Sequence, residues 1–248
     1  MKAGGPVTGL QVYSAWDPLQ RVFHWLNAGC VLALAATATA ILWHDELGVS
    51  ADGKILLKTV HVWLGYLFAA NLAVRLVWAF AGSPSGRWRA FLPFGRGYLQ
   101  SLRRYLAGVV SGDAPRYLGH NPLGRLMVSL LLLLLTLQAV GGLVLAGTDI
   151  YYPPLGGWIA AWVAAPGVDP TTLMPGDRTA VDAAAWSAMR DFREPFAETH
   201  ESVFFLMLGA GLLHIAGVVL AEIREGGSLV SAMFTGRKIL DRPPADQP

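Results

Sequence analysis

Four long apolar stretches are the feature that most limits what this chain can fold into. A helix needs about 20 mostly apolar residues to cross the hydrocarbon core of a bilayer, and stretches of that length lie at 22–43, 60–82, 123–147 and 199–221. Of the 248 residues, 54% are apolar and only 15% are charged, which is unusual for a soluble domain. The sequence therefore predicts an all-α integral membrane protein, with one domain over 1–248 built as a four-transmembrane-helix bundle.

Capping residues mark where these helices begin. Asp17-Pro18 and Asn121-Pro122 each place a capping side chain before a proline at the first helical position, and Glu194-Pro195 offers a similar start for the last helix. The predicted helices cover about 18–43, 53–82, 122–147 and 195–222.

The segment 148–194 is longer than an ordinary loop. Its run of about 10 apolar residues around Trp158 and Trp162 is too short to span a bilayer and favours an interfacial or re-entrant piece. The alanine-rich stretch 179–192 predicts a short helix. We expect an extended outer loop with short helical pieces that acts as a lid or docking surface, although a solvated connector is the alternative. The tail 241–248 is predicted to be disordered.

Basic residues indicate the orientation. They are concentrated at the N-terminus, between the second and third spans, and after the fourth: Lys2, Arg21, Arg87, Arg89, Arg96, Arg103, Arg104, Arg116, Arg224, Arg237, Lys238 and Arg242. Because such residues accumulate on the cytoplasmic side, we expect both termini there and segment 148–194 outside. Topology accounts for these arginines, so nucleic-acid binding is not expected.

Two features of the first span limit the cofactor chemistry and the processing of the chain. The small residues from Ala36 to Ala40 resemble a signal-peptide cleavage site, but the apolar run continues to Trp43, so we expect no cleavage. The single cysteine, Cys30, excludes an intrachain disulfide, and no Cys-x-x-Cys-His motif occurs. Any haem would therefore be held without thioether bonds, as b-type haem is.

Four histidines fall at two matching depths of the predicted bundle. His24 and His214 come near the inner face, whereas His61 and His200 come near the outer face. His200 and His214 share one helix, and fourteen residues rotate a side chain to within about 40° of the same face and move it about 21 Å along the axis. Iron accepts imidazole readily, so the pattern predicts two stacked haem groups, each between two histidines.

These histidines are also compatible with three roles that need no haem. A membrane histidine can simply hydrogen-bond between helices, a transporter or channel can use imidazoles to bind a transition metal, and the chain can be a purely structural anchor. Against transport, the ligands divide between two depths and no acidic residue lies mid-span. His44, just beyond the first span, is a weaker candidate ligand.

Charged and polar groups near the predicted haems have candidate roles. Arg75 lies fourteen residues after His61, near the predicted depth of His24 and His214. A buried arginine needs an anionic partner, and a haem propionate at that depth can supply it. Alternatively, the Arg75 side chain extends to the lipid headgroups. Three outer cations can serve the other haem's propionates: Lys54, Lys58 and Arg193. The inner loop with His120 and Asn121 is the candidate quinone site, because histidine can exchange protons near neutral pH.

Several short motifs together resemble one known family. They are Trp16-Asp17-Pro18, Arg21-Val22-Phe23-His24-Trp25, His61-Val62-Trp63-Leu64-Gly65-Tyr66, Gly119-His120-Asn121-Pro122-Leu123-Gly124, His200-Glu201, His214 and Met233-Phe234-Thr235-Gly236-Arg237-Lys238. Over about 16–238 the chain resembles the bacterial cytochrome b561 family, which includes the membrane cytochrome b subunits of nickel-iron hydrogenases.

The resemblance implies a cytochrome b of the bacterial inner membrane with two b haems, which passes electrons between a quinone pool and a redox partner. The family's haem ligands carry over onto His24, His61, His200 and His214, and any turnover would be quinone reduction or quinol oxidation. Segment 148–194 departs from the family pattern. The partner expected on the outer face is therefore left open between a hydrogenase-like iron-sulfur subunit and a soluble c-type cytochrome.

Overall fold

Each apolar stretch lies within one long helix. The structure, a computed structural model, describes residues 9–225 and 228–246. In chain order the elements are β1 (Gln11–Ser14), α1 (Pro18–Leu42), α2 (Ala51–Ala81), α3 (Trp88–Phe91), α4 (Tyr98–Ser111), α5 (Pro122–Ile150), α6 (Gly156–Val163), α7 (Ala183–Glu225), α8 (Leu229–Thr235) and β2 (Arg237–Leu240). Helices α1, α2, α5 and α7 are long and apolar enough to cross a membrane.

The predicted caps open two of these helices. The Asp17 carboxylate accepts a hydrogen bond from the Gln20 backbone N–H at 2.8 Å, and the Asn121 side-chain oxygen accepts one from Gly124 at 2.7 Å. Each bond satisfies one of the amides that a first helical turn leaves unpaired. The starts predicted for α1 and α5 are confirmed.

The start predicted for the fourth helix is wrong. Helix α7 begins at Ala183, where Asp182 accepts a hydrogen bond from the Ala185 backbone N–H at 2.8 Å, and Pro195 lies inside the helix. Proline removes one backbone donor and crowds the preceding turn, but the alanine-rich residues before it continue the same helix. The short helix predicted at 179–192 and the span predicted at 195–222 therefore belong to one helix, α7.

Segment 148–194 has a core of its own. Helix α6 buries Ile159 and Val163 against Leu173 and Met189, while Trp158 remains 57% exposed. Short helical pieces were predicted here, and α6 supplies one of them. The segment is therefore a packed structure and differs from an open connector.

Two regions outside the spans carry structure that was not predicted. Between α2 and α5 the chain forms α3 and α4, and β1 pairs with β2 in an antiparallel two-stranded sheet, with Gln11 opposite Leu240 and Ser14 opposite Arg237. The all-α prediction therefore holds for the spans but misses this small sheet. The two strands are only four residues long each, too short for a period-two pattern to stand out.

Part of the tail predicted to be disordered makes specific contacts. Arg116 donates to both carboxylate oxygens of Asp241 at 2.9 and 3.1 Å, and Asp246 accepts hydrogen bonds from the backbone of Leu118 and Gly119. The prediction of disorder is therefore wrong for these residues. Residues 247–248 lie outside the described part of the chain.

The chain divides into two compact units, and each long helix contributes to both. One unit contains the chain through Trp25, Val74–Leu133 and the chain from Leu208 onward, and the other contains Leu26–Ala73 and Leu134–Met207. His24 and His214 belong to the first unit, and His61 and His200 belong to the second.

Candidate functional site

The structure brings His24 and His214 together within the first unit. Their ring centres are 6.5 Å apart, and the ring planes are tilted by 53°. His24 comes from the second turn of α1 and His214 from α7, which are the two helices that the sequence predicted for this pair.

His61 and His200 form the same kind of pair within the second unit. Their ring centres are 6.3 Å apart, and the planes are nearly perpendicular at 79°. His61 comes from α2 and His200 from α7, so α7 contributes one imidazole to each pair.

Both separations fit a pair of imidazoles that bind one metal from opposite sides. A first-row metal binds a histidine nitrogen at about 2 Å, so two opposed rings have their centres about 6 Å apart. The four residues therefore fit two b-type haems, which they would hold in pairs.

Glycines on α5 leave space for the His200 ring. A Cβ added to Gly141 would lie 3.3 Å from His200 Nδ1, and a Cβ added to Gly142 would lie 3.3 Å from His200 Cε1. Both distances are tighter than ordinary van der Waals contact. In the sequence alone, close helix packing and room for a macrocycle account for these glycines equally well, whereas the structure shows that they leave room for the His200 ring.

Replacing Gly141 with valine is expected to displace the His200 ring, because the branched side chain needs more space than the 3.3 Å approach leaves. We expect the purified variant to lose about half of its bound haem, since one of the two predicted bis-histidine sites would be affected. Haem per chain measures this. Gly157→Val is the matched control, because a Cβ at this exposed glycine meets nothing within 4 Å; equal haem in both variants would contradict the prediction.

Arg75 lies in the unit that holds His24 and His214. Its Nη1 donates to the Gly86 carbonyl at 3.2 Å, and its guanidinium carbon lies 5.0 Å from the centre of the Phe91 ring. These contacts hold the guanidinium beside the end of α2. The propionate role stays a prediction.

The predicted outer cations have protein partners. Lys58 and Arg193 both donate to Asp149, at 2.5 Å each for the shortest bond, and all three side chains are less than 30% exposed. Lys54 lies 2.9 Å from His44 Nε2. Sequence reasoning missed Asp149 because it closes α5, where an acidic residue looks like an ordinary helix end.

The two remaining histidines lie apart from these pairs. His44 contacts Lys54 and Asp45. His120 lies against Trp16, with ring centres 4.8 Å apart, and burial, followed by the charges of Lys238, Arg75 and Arg125, lowers its pKa to about 3. The quinone site at His120 and Asn121 stays a prediction.

Asn121 belongs to a closed hydrogen-bond network. Its Nδ2 donates to Tyr105 Oη at 2.7 Å and to Glu225 Oε1 at 3.0 Å, and Tyr105 Oη donates to the same Glu225 oxygen at 2.6 Å. Burial and the hydrogen bond to Glu225 raise the pKa of Tyr105. This network ties the start of α5 to α4 and to the end of α7.

The chain is similar to known proteins over nearly its full length. The model of the family described as "Prokaryotic cytochrome b561" matches residues 15–236. Among curated proteins, it is 25% identical to a probable Ni/Fe-hydrogenase B-type cytochrome subunit of Rhizobium leguminosarum bv. viciae, over 88% of this chain and 85% of that protein. A protein of the same description from Bradyrhizobium diazoefficiens is 22% identical over 95% of this chain and 90% of its own length, and one from Cupriavidus necator is 32% identical over 50% and 52%. No solved structure matches.

Proposed function

We propose a function for this chain from one premise: it belongs to the prokaryotic cytochrome b561 family. Members are membrane electron-transfer proteins with b-type haem, and four helices here are long and apolar enough to cross a bilayer. We propose that the chain binds two b haems and passes electrons between a quinone pool and a redox partner on the outer face of the bacterial inner membrane.

The observation that carries the two-haem proposal is the repeated pair geometry. Two separate pairs of histidines have nearly equal ring separations, 6.5 and 6.3 Å, and each pair has one member on α7. Hydrogen bonding between helices does not require this repetition, whereas two similar bis-histidine sites do. His24 with His214 and His61 with His200 are the proposed ligand pairs.

The chain's own residues bind, orient and shield the haems. Haem iron supplies one-electron redox chemistry when it is bound. The four imidazoles would hold the iron, and the apolar helices would exclude water from both sites. Arg75 is the proposed partner of a propionate at the His24/His214 site, because a carboxylate would satisfy guanidinium donors that Gly86 leaves free.

Segment 148–194 is the proposed docking surface for the redox partner. It is packed around its own core, and large apolar side chains remain at its surface, such as Trp158 and Met174 at 57% and 65% exposed. The names of the relatives favour a hydrogenase iron-sulfur subunit over a c-type cytochrome as the partner. With the arginine-rich segments in the cytoplasm, both termini would face the same compartment.

Purified protein tests the proposal. We expect two b haems per chain, low-spin spectra and two redox transitions, one for the haem at each histidine pair. We also expect reduction of both haems by a quinol analogue in detergent. A colourless protein, or a single haem per chain, would overturn the two-haem proposal, and haems that no quinol analogue reduces would overturn the quinone link.

A further inference from the structure

Thr37 on α1 contacts His61, one of the proposed haem ligands. We propose that the Thr37 hydroxyl orients His61 and fixes its protonation, and so sets the redox potential of the haem held by His61 and His200. The inference rests on the proposed function, because it concerns a residue that acts through one of the proposed ligands. Thr37 is thus a positioning residue for His61.

The contact has the geometry of a good hydrogen bond. Thr37 Oγ1 on α1 lies 2.8 Å from His61 Nδ1 on α2. The same hydroxyl oxygen lies 3.0 Å from the Ala33 carbonyl oxygen and 3.0 Å from the Leu34 carbonyl oxygen, one turn earlier in α1. Thr37 is only partly exposed, and its contact with His61 joins α1 to α2.

Counting protons decides which atom donates. A hydroxyl has one hydrogen and two acceptor lone pairs. The two carbonyl oxygens can only accept, so the hydroxyl hydrogen points to them. Its lone pair then accepts the Nδ1 hydrogen of His61, which leaves the Nε2 lone pair of His61 free for iron.

This bond changes the ligand electronically as well as sterically. A metal-binding histidine that donates its other ring N–H becomes a more basic ligand, and its ring orientation is fixed. A more basic imidazole stabilises the oxidised iron more than the reduced iron. Thr37 therefore lowers the potential of the haem at this site.

Another proposed ligand differs from His61 at this atom. Nδ1 of His24 is buried without a hydrogen-bond partner among the residues that the structure describes. In the His61/His200 pair, Thr37 supplies a side-chain hydroxyl to a ring nitrogen of one imidazole. This makes the potential of that site sensitive to a single hydroxyl.

The test removes the Thr37 hydroxyl and keeps the size and branching of the side chain. Thr37→Val removes the acceptor, whereas Thr37→Ser keeps a hydroxyl at the same position. Thr39→Val is the matched control, because Thr39 is an exposed threonine two residues further along α1. Each full-length protein is purified with its haems and compared by redox titration, low-temperature electron paramagnetic resonance, and haem transfer to a haem-scavenging protein.

We expect Thr37→Val to shift one of the two haem transitions to a more positive potential, to change the ligand-field signal of that haem alone, and to release it about 10-fold faster. Thr37→Ser and Thr39→Val should match the wild type. Two haems with unchanged potentials and signals in Thr37→Val would overturn the role of Thr37 and leave the proposed function intact. Wild-type protein without two haems would instead overturn the proposed function.

Discussion

Replacing His200 with alanine is expected to remove one haem and leave the other. The His61/His200 site would keep a single imidazole, whereas His24 and His214, whose ring centres are 6.5 Å apart, would still hold haem from two sides. His61→Ala should remove the same haem, and His24→Ala and His214→Ala should both remove the other one. Haem content per chain, falling by about half in every variant, measures the loss, and the redox transition that disappears identifies the site.

The pattern of pairs is the decisive part of this experiment. His44→Ala is the matched control, because His44 lies two residues after the end of α1 and contacts Lys54 and Asp45; it should keep both haems. A His200→Gly variant leaves space at the site, and added imidazole should restore the lost transition. Loss of both transitions in each of the four variants would refute the assignment of two separate sites.

Replacing Asp149 with alanine is expected to be the most destabilising change outside the histidines. Its carboxylate accepts hydrogen bonds from Lys58 on α2 and Arg193 on α7, so one side chain links three helices. Asp149 is 15% exposed, Lys58 27% and Arg193 20%, and removal of the shared carboxylate leaves two cations close together without their counter-charge. We expect a cost of about 3 kcal/mol, which corresponds to a melting temperature lower by roughly 6–12 °C.

Thermal unfolding in detergent, followed by loss of the helical circular dichroism signal, measures this change. Asp149→Asn should lie between wild type and Asp149→Ala, since an amide keeps the size and one acceptor oxygen but loses the charge. Asp191→Ala is the control, because Asp191 is an exposed acidic residue on α7 two positions before Arg193. A melting temperature for Asp149→Ala equal to that of Asp191→Ala would contradict the bridging role.

The spanning helices and the histidine pairs could be predicted because their signals are local. Apolar length predicts a span, Asp17 and Asn121 precede prolines, and helix geometry then fixes the depth of each histidine. The pairing of His24 with His214 and of His61 with His200 needed only these depths and the orientation of the helices. The structure confirms that the paired rings lie together, whereas the ligation itself stays a prediction.

The features that were missed depend on contacts between residues far apart in sequence. Nothing around Thr37 indicates that its hydroxyl meets His61 from another helix, because a threonine inside an apolar helix usually bonds to its own backbone. Pro195 gave the opposite error. The Glu194-Pro195 pair resembles a helix start, so the sequence predicted one there. In the structure the alanine-rich turns before Pro195 and the apolar turns after it form one continuous helix.

The two-stranded sheet has a consequence for how the chain is assembled. Gln11–Ser14 is synthesised before all four apolar helices, whereas its hydrogen-bonding partner, Arg237–Leu240, is synthesised only after them. Because the strands pair, a segment that precedes the four apolar helices and a segment that follows them meet in one sheet, which fits an even number of crossings. The first strand therefore has no strand partner until the last of these helices has been synthesised.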